Sequence, residues 1–188
     1  METFSDGVFA IAATLLVLEI AVKGQDLGKQ LTHIWPSYLA YATSFLTIGI
    51  IWMNHHHTVS LMGRVDRTFL FVNNLLLLVI AFLPFPTRLV AEHLHDNGAR
   101  PAALAYTITF TLMAVMHQAY WQYARRGRRL IGEHVPESAL RSVDLAYAPG
   151  VPLYAATVLV ALVSPLASVF MTFAIAAFYL PSAALFDR

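Results

Sequence analysis

Long apolar stretches joined by short polar connections dominate the chain. Six of them reach the roughly 20 mostly apolar residues that a helix needs to cross a bilayer. They are longer than the ~10-residue segments of a transmembrane β-barrel, and they do not alternate. The pattern predicts an all-α polytopic membrane protein, a single domain over residues 1–188. Its six predicted spans are Phe4–Val22, Ile34 to about Asn54, Thr68 to about Val90, Pro101–Tyr123, Leu145–Val163 and Leu166–Phe186.

Proline positions add detail to these spans. Pro84 and Pro86 lie near the end of the third span and predict a bend there, because proline removes a backbone donor. Ser164-Pro165 predicts a very tight hairpin between the fifth and sixth spans. The remaining connections are too short for a soluble domain. The first span carries Asp6 and lacks a basic region before it, so it is not interpreted as a signal peptide.

Composition agrees with a membrane protein and excludes several other classes. The chain is 58% hydrophobic and 12% charged, whereas a soluble domain is about a quarter charged. Its 12 basic and 11 acidic residues nearly cancel, so no strongly basic face exists for nucleic acid. The absence of cysteine removes disulfides and thiolate metal sites. Arginine greatly outnumbers lysine, which is typical of a GC-rich bacterial genome.

The basic residues predict the orientation, because cytoplasmic loops are rich in lysine and arginine. With six spans, both termini lie on one side, and that side carries most of the basic residues. We therefore expect both termini to be cytoplasmic, and we interpret the loop 125–129 as a topology signal in contact with anionic lipid rather than as a regulatory site. The side with the termini carries Arg64, Arg67, Arg125, Arg126, Arg128, Arg129, Arg141 and Arg188, and the other side carries Lys23, Lys29, Arg88 and Arg100.

The first span contains a buried acid and a continuous apolar stripe. A carboxylate inside a spanning helix costs about 2.5–3.5 kcal/mol, which makes Asp6 a candidate functional residue. At about 100° per residue, Ser5 and Asp6 lie on the back of the helix, away from the stripe. The stripe lies within about 60° of Ile11 and contains Phe4, Gly7, Leu15, Leu18 and Val22, with Thr14 at its edge.

The residues alone leave two interpretations of this stripe. It can face lipid while the polar pair anchors the bundle. Alternatively, it can face a symmetry axis, where four copies would form stacked rings of Ile11, Leu15 and Leu18 with a ring of Thr14 hydroxyls between them. Hydrophobic rings gate by dewetting, and rings of oxygen atoms replace the hydration shell of an ion.

The string from Phe4 to Ile20, FSDGVFAIAATLLVLEI, resembles the first helix of the transmembrane protein 175 family of lysosomal and prokaryotic potassium channels. The family motif reads Arg-x-x-x-Phe-Ser-Asp; its arginine would precede Met1 by one position, which leaves the partner of Asp6 open. The second half of the chain matches the family mainly in hydropathy and number of spans. Further segments that resemble the prokaryotic branch are Trp52-Met53-Asn54-His55-His56, Asp66, Asn73-Asn74 and Leu83-Pro84-Phe85-Pro86-Thr87-Arg88.

The resemblance implies a homotetramer of six-helix subunits in the cell membrane, with the first helix lining a central pore. It implies a potassium-selective, leak-type channel whose partners are potassium ions, the lipid bilayer and its own copies, with no cofactor. The narrowest apolar ring of the family aligns with Ile11, and further apolar rings align with Leu15 and Leu18. The threonine layer that the family links to potassium preference aligns with Thr14.

Polar residues near the cytoplasmic ends of three spans are candidates for a brace behind the first helix. A buried carboxylate needs hydrogen-bond donors, and indole, imidazole and amide groups can supply them. These groups can instead be satisfied independently of one another. The predicted layer contains Ser5, Asp6, Trp52, Asn54, His55, Asn73 and Asn74.

The three consecutive histidines His55-His56-His57 do not predict a metal site. Neighbouring residues on a helix point about 100° apart, so the three cannot meet one ion. A pH-sensitive cluster at the membrane interface fits them better, because histidine titrates near neutrality. The segment 92–96, EHLHD, is interpreted as the solvated rim of an outer loop.

Three other functions compete with a potassium channel as interpretations of this sequence. A proton-permeable channel would use the same pore. A secondary cation transporter would place charged residues near the membrane midplane, whereas here they cluster at the ends of the spans. A membrane enzyme needs converging acid, base or metal groups, and the sequence shows no such spacing.

Overall fold

The fold is helical wherever the structure, a computed structural model, describes the chain, which is over residues 1–20 and 27–185. Four residues used in the predicted spans or in the predicted orientation lie outside the described residues: Val22, Lys23, Phe186 and Arg188. Within them the only β-type pairing is a single bridge between Met62 and Ile131, so the all-α prediction is confirmed. The helices are α1 (Glu2–Leu15), α2 (Leu27–His33), α3 (Trp35–Ser60), α4 (Arg67–Phe82), α5 (Pro84–His93), α6 (Ala99–Arg125), α7 (Glu137–Tyr147), α8 (Gly150–Val163) and α9 (Pro165–Leu185).

The helices follow the predicted spans but do not share their ends. The helix α3 continues to Ser60, beyond the apolar window that ends near Asn54, because polar residues also form helix and an apolar window does not detect them. The first span is α-helical only to Leu15 and continues as a 3₁₀ turn, Leu16–Glu19. The short helix α2 was not predicted.

The third span is interrupted at the position where Pro84 predicted a bend. Pro84 has no backbone N–H to donate, and α4 ends at Phe82 while α5 begins at Pro84. The N–H of Leu83 donates to the carbonyl of Ile80 at 3.1 Å, which is the tightened bond of a helix end. The apolar span therefore continues as two consecutive helices, and the bend between them stays a prediction.

The fifth span differs from its prediction. We predicted one helix beginning at Leu145. In the structure the helix α7 begins at Glu137, and the helix is interrupted near Pro149 before α8 begins at Gly150. Pro149 cannot donate the bond that would continue α7. The missed part is amphipathic, with Leu140 buried, so a search for continuous apolar runs overlooks it.

The hairpin predicted at Ser164-Pro165 is confirmed. Ser164 is extended, and its hydroxyl oxygen accepts from the N–H of Ala167 at 3.3 Å, as a helix N-cap does. Pro165 then occupies the first position of α9, where its missing N–H costs nothing. The two helices are thereby joined by a single residue.

The helix α6 lies at the centre of the subunit and packs against α4, α5, α8 and α9. Its residues Tyr106, Phe110, Tyr120 and Trp121 are fully buried. The helix α1 packs mainly on α3 and α4 at the edge of this bundle. One face of α1 is therefore covered by its own subunit and the other is not.

Three stretches of the described chain are long and apolar enough to cross a membrane: Arg67–His93, Ala99–Arg128 and Glu137–Val163. A shorter apolar helix covers Pro165–Leu180. The first of these stretches combines α4 with α5, and the third combines α7 with α8. The count of six spans stays a prediction.

Candidate functional site

The apolar stripe of α1 is uncovered in the subunit. Ile11 is 61% exposed and Leu18 is 72% exposed, and Phe4, Gly7, Thr14 and Leu15 are also exposed. Large apolar side chains that no part of their own subunit covers mark a surface for lipid or for another protein surface. The stripe is thus available to face either a bilayer or other copies of the chain.

The opposite face of α1 fixes the direction of the stripe. Ser5, Phe9, Ala12 and Leu16 are buried against the subunit. Their spacing of four, three and four residues follows the period of a helix, so they form one continuous packed face. Because this face is held by α3 and α4, the stripe cannot rotate toward the subunit interior without losing that packing.

The Thr14 hydroxyl is oriented by the backbone of α1. It donates to the carbonyl oxygen of Ile11 at 3.0 Å. With its hydrogen used in this bond, the exposed oxygen presents lone pairs rather than a donor. Oxygen lone pairs are what a desolvated cation requires.

The 3₁₀ turn alters the alignment of the last stripe residues. Leu15 is the last residue of α1, and Leu18 lies within the turn. A 3₁₀ helix has three residues per turn, so side chains three positions apart eclipse one another about 6 Å apart along the axis. Leu18 therefore lies directly over Leu15 instead of at the offset that a continuous α-helix would give.

Asp6 has a partner on α3. The indole Nε1–H of Trp52 donates to its Oδ1 at 2.8 Å. Both residues belong to the predicted polar layer, and the bond ties the start of α1 to α3. The partner that the sequence left open is therefore Trp52.

A second hydrogen-bonded branch joins three helices through Asn73. The Asn73 Nδ2 donates to the Ser5 hydroxyl oxygen at 3.2 Å, and the Asn73 Oδ1 lies 2.8 Å from His55 Nε2. An amide oxygen only accepts, so His55 must carry its proton on Nε2. The His55 ring packs between Phe9, with centroids 5.4 Å apart, and Tyr120, at 5.1 Å. This branch fixes the buried face of α1 to α3, α4 and α6.

The predicted polar layer is thus two separate branches, and two of its predicted members lie outside them. Asn74 is exposed, because it follows Asn73 and points about 100° away from it. Asn54 lines a cavity on another side of α3, and its carbonyl accepts from the Tyr147 hydroxyl at 3.2 Å. Neither side chain takes part in bracing α1.

The histidine cluster splits in the same way. His56 faces Glu2 of α1, with His56 Nδ1 3.0 Å from Glu2 Oε1. His55, one residue earlier, is fully buried. Over residues 1–20 and 27–185, no three His, Asp or Glu side chains come together as a metal site requires.

The end of the first span is linked to α5 by Arg88. Its Nε lies 3.3 Å from Glu92 Oε1, within α5, and 3.9 Å from Glu19 Oε2. In the connection that follows α5, the hydrogen bond from His93, followed by the backbone N–H of Gly98, holds the pKa of Asp96 below its ordinary value. The charged side chains at this end of the subunit are therefore paired with one another.

Some contacts of the site were missed from the sequence. Phe9 lies four residues after Ser5 on the buried face, and this helical spacing could have identified it. Tyr120 lies far along the chain, and no local pattern points to its stacking on His55. Glu2 at the start of α1 could have been paired with the histidines by charge alone.

The sequence is similar to one family model and to bacterial potassium channels. Residues 1–84 match the family model described as endosomal/lysosomal potassium channel TMEM175. A potassium channel of Streptomyces collinus is 44% identical over 169 residues, 87% of this chain and 82% of that protein. A potassium channel of Chamaesiphon minutus is 39% identical over 185 residues, 95% of this chain and 91% of that protein.

The fold is also similar to a solved structure. The crystal structure of a lysosomal potassium-selective channel TMEM175 homolog from Chamaesiphon minutus superposes with a TM-score of 0.88 at 38% identity. The match covers 97% of this chain and 95% of that chain. The similarity therefore includes the second half of the chain, which the family model does not reach.

Proposed function

This chain belongs to the TMEM175 family of ion channels, and from that premise we propose that it forms a potassium-permeable, potassium-selective leak-type channel in a bacterial cell membrane. The observation that carries the proposal is the uncovered apolar stripe on α1, which contains the Thr14 hydroxyl. The stripe lies inside the part of the chain that the family model matches. The proposed activity is ion permeation and not an enzymatic reaction.

The proposed assembly is a homotetramer with α1 of each subunit around a central axis and both termini in the cytoplasm. The position of α1 at the edge of the bundle supports this arrangement, because its free face can meet three others. Two hydrogen-bonded links, Asp6–Trp52 and Ser5–Asn73–His55, fix the rotation of α1 and so hold the stripe in one direction in every subunit.

In the proposed pore, Ile11, Leu15 and Leu18 form apolar rings that a potassium ion crosses only when the pore is wetted. The Thr14 oxygens lie between the Ile11 and Leu15 levels and replace part of the hydration shell of the ion.

Potassium flux from liposomes that contain the purified protein tests this proposal. We expect efflux of potassium down its gradient that exceeds sodium efflux under the same conditions, with an impermeant organic cation as the control. Equal rates for all three cations would contradict a selective channel. Saturable efflux that requires a counter-ion gradient would instead favour a transporter.

Proton permeation is distinguished in the same liposomes. Potassium efflux makes the interior of the liposomes negative, and this potential draws protons inward wherever they can cross. A pH indicator inside the liposomes reports their entry in the absence of a protonophore. If the pore is selective for potassium, the pH signal stays small until a protonophore is added. A full pH change without protonophore would show that the pore carries protons as well as potassium, and it would contradict selectivity for potassium.

A further inference from the structure

Each subunit contains a partly open cavity that is separate from the proposed ion path. It lies between α3, α6, α8 and α9, and it has room of about 70 Å³ for the centres of water-sized molecules. Its walls include Ile50, Ile51, Phe110, Met113 and Tyr154. None of its described lining residues belongs to α1, so nothing that enters it meets the stripe.

Two polar atoms of α6 are unpartnered on the wall of this cavity. The Nε2 of His117 and the Oε1 of Gln118 are buried, and neither has a hydrogen-bond partner among residues 1–20 and 27–185. His117 is only 7% exposed, and its ring is held edge-on by Tyr147 with centroids 4.6 Å apart. Buried polar atoms in native proteins are nearly always hydrogen-bonded to protein, water or a ligand, so these two indicate a hydrogen-bonding occupant of the cavity.

The charge of the walls restricts that ligand. The described lining contains no Asp, Glu, Lys or Arg side chain. A charged molecule would lose its hydration without gaining a counter-charge, which is unfavourable. The occupant is therefore neutral.

The remaining wall chemistry restricts it further. A hydroxyl group can donate to the amide oxygen of Gln118 and accept from a nitrogen-bound proton of His117. Aromatic side chains, among them Phe110, Tyr147 and Tyr154, favour edge and offset contacts with another ring. A bound water needs about 10–15 Å³ of such room, so the cavity holds roughly five waters or one molecule of similar size.

From these features we propose that the cavity between α3, α6, α8 and α9 is a binding site for a small neutral aromatic alcohol, with its hydroxyl on His117 and Gln118 and its ring among the aromatic walls. The site is distinct from the proposed ion path, because none of its described lining residues belongs to α1. Its occupancy can be measured without recording an ion current.

Phenol and benzene form the test pair, because they differ only in the hydroxyl. Binding to the purified full chain is measured by calorimetry and by the shift in thermal unfolding temperature. We expect phenol to bind about five- to tenfold more tightly than benzene, which is the usual gain from satisfying a buried hydrogen-bonding group. Gln118→Leu, which keeps the size of the side chain and removes the amide, should reduce this preference to about equal affinities.

Gln122→Leu is the matched control, since Gln122 lies one turn along α6 and is exposed outside the cavity. It should keep the preference for phenol. A second variant, Ala114→Leu, fills the cavity from α6 and should weaken both probes, provided that its unfolding temperature shows a folded protein. If Gln118→Leu does not fold, His117→Phe tests the same preference.

Three results would overturn the site. These are equal affinities of phenol and benzene for the wild-type protein, a phenol preference that survives in every cavity variant, and a density map at saturating phenol that shows only water beside His117.

Discussion

Ile11 is the residue whose replacement tests the proposed ion path most directly. It is exposed on the stripe, and in a tetramer its four side chains would form an apolar ring. Ile11→Asn replaces an apolar side chain with a smaller polar one, whose amide holds water in the ring. We expect the single-channel conductance to rise several-fold and the preference for potassium over sodium to fall, because dewetting no longer limits entry.

Single-channel recording in planar bilayers measures this effect, and Ile108→Asn is the matched control. Ile108 is 51% exposed on α6 and lies outside the stripe. Its replacement makes the same chemical change on another surface and should leave conductance unaltered. If the two variants behave alike, Ile11 does not line the ion path.

Thr14 offers a separate test, of selectivity rather than conductance. Thr14→Val keeps the shape of the side chain and removes the oxygen, which the bond to the Ile11 carbonyl now orients outward. A difference of about 1 kcal/mol in ion stabilisation corresponds to roughly a fivefold loss in the potassium-to-sodium permeability ratio. The measurement is the reversal potential in opposed potassium and sodium solutions.

Thr111→Val supplies the comparison, because the Thr111 hydroxyl makes a similar bond to the carbonyl of Thr107 at 2.8 Å on α6. It should leave the reversal potential unchanged. A reversal potential that Thr14→Val does not move would remove the oxygen ring from the proposed mechanism.

Helical spacing was sufficient to predict which residues of α1 share a face, but it could not predict their partners. Ile11, Leu15 and Leu18 are uncovered as the spacing of α1 requires. Among the polar residues, the sequence identified Trp52 and Asn73 as candidates equal to Asn54 and Asn74. Which of them meets α1 depends on the rotation of α3 and α4, and only the packed subunit determines that rotation.

At the scale of elements, the connection between α1 and α3 is testable through Trp52. Trp52→Phe keeps an aromatic ring and removes the N–H that donates to Asp6. The carboxylate then loses a donor, at a cost of about 1 kcal/mol because the bond is partly exposed. We expect an unfolding temperature lower by about 2–4 °C and channel openings that are shorter or noisier, because α1 is held less firmly.

The matched control is Trp35→Phe, at the other end of α3. Trp35 stacks on Phe170 with ring centroids 5.9 Å apart. Within the part of the chain that the structure describes, none of its ring contacts is with a residue of α1. Trp35→Phe should alter stability without altering the openings. Identical openings in wild type and Trp52→Phe would show that the bond to Asp6 does not position α1.

A second link between elements depends on pH. Asp66 caps α4: its Oδ1 accepts from the N–H of Phe69 at 2.8 Å, and its Oδ2 accepts from the Tyr123 hydroxyl at 2.8 Å and from Arg129 at 3.2 Å. The Phe69 N–H first, and then Tyr123 and Arg129, hold the pKa of this carboxyl below its ordinary value. Its stabilising contribution is therefore full above about pH 4 and is lost as the pH falls through the lowered folded-state pKa.

Asp66→Asn isolates this charge, because asparagine still serves as a helix cap. At neutral pH the variant should unfold at a lower temperature than wild type, and the difference should shrink toward zero as the pH falls below about 4. Thermal unfolding in detergent across this range measures it. A difference that stays constant with pH would mean that the charge of Asp66 contributes nothing.

The helices were largely predictable, whereas their interruptions were predictable only in part. Pro84 and Pro165 both act as their sequence positions indicate. The break at Pro149 was missed because the amphipathic α7 precedes it outside the apolar window. The 3₁₀ turn Leu16–Glu19 contains no proline or glycine that could predict it. Its composition resembles that of the helix before it.

For the whole molecule, a single subunit cannot form the proposed pore. Its α1 presents one uncovered stripe at an edge of the bundle, and such a surface becomes a closed path only when rotation about an axis repeats it. The number of copies around that axis decides how many side chains each apolar ring contains.

Mixed channels count the subunits through the ion path itself. If Ile11→Asn raises conductance, then co-reconstitution of wild-type and variant subunits should give channels with intermediate conductances, because each copy contributes one side chain to the ring. A homotetramer yields five compositions, from zero to four variant copies, with binomial weights when the two are mixed equally. Covalently linked tandem copies of known composition assign each level. If the mixed channels show only the two conductance levels of the pure proteins, then the Ile11 side chains of different subunits do not share one ring. The proposal of a central pore along α1 would then be wrong.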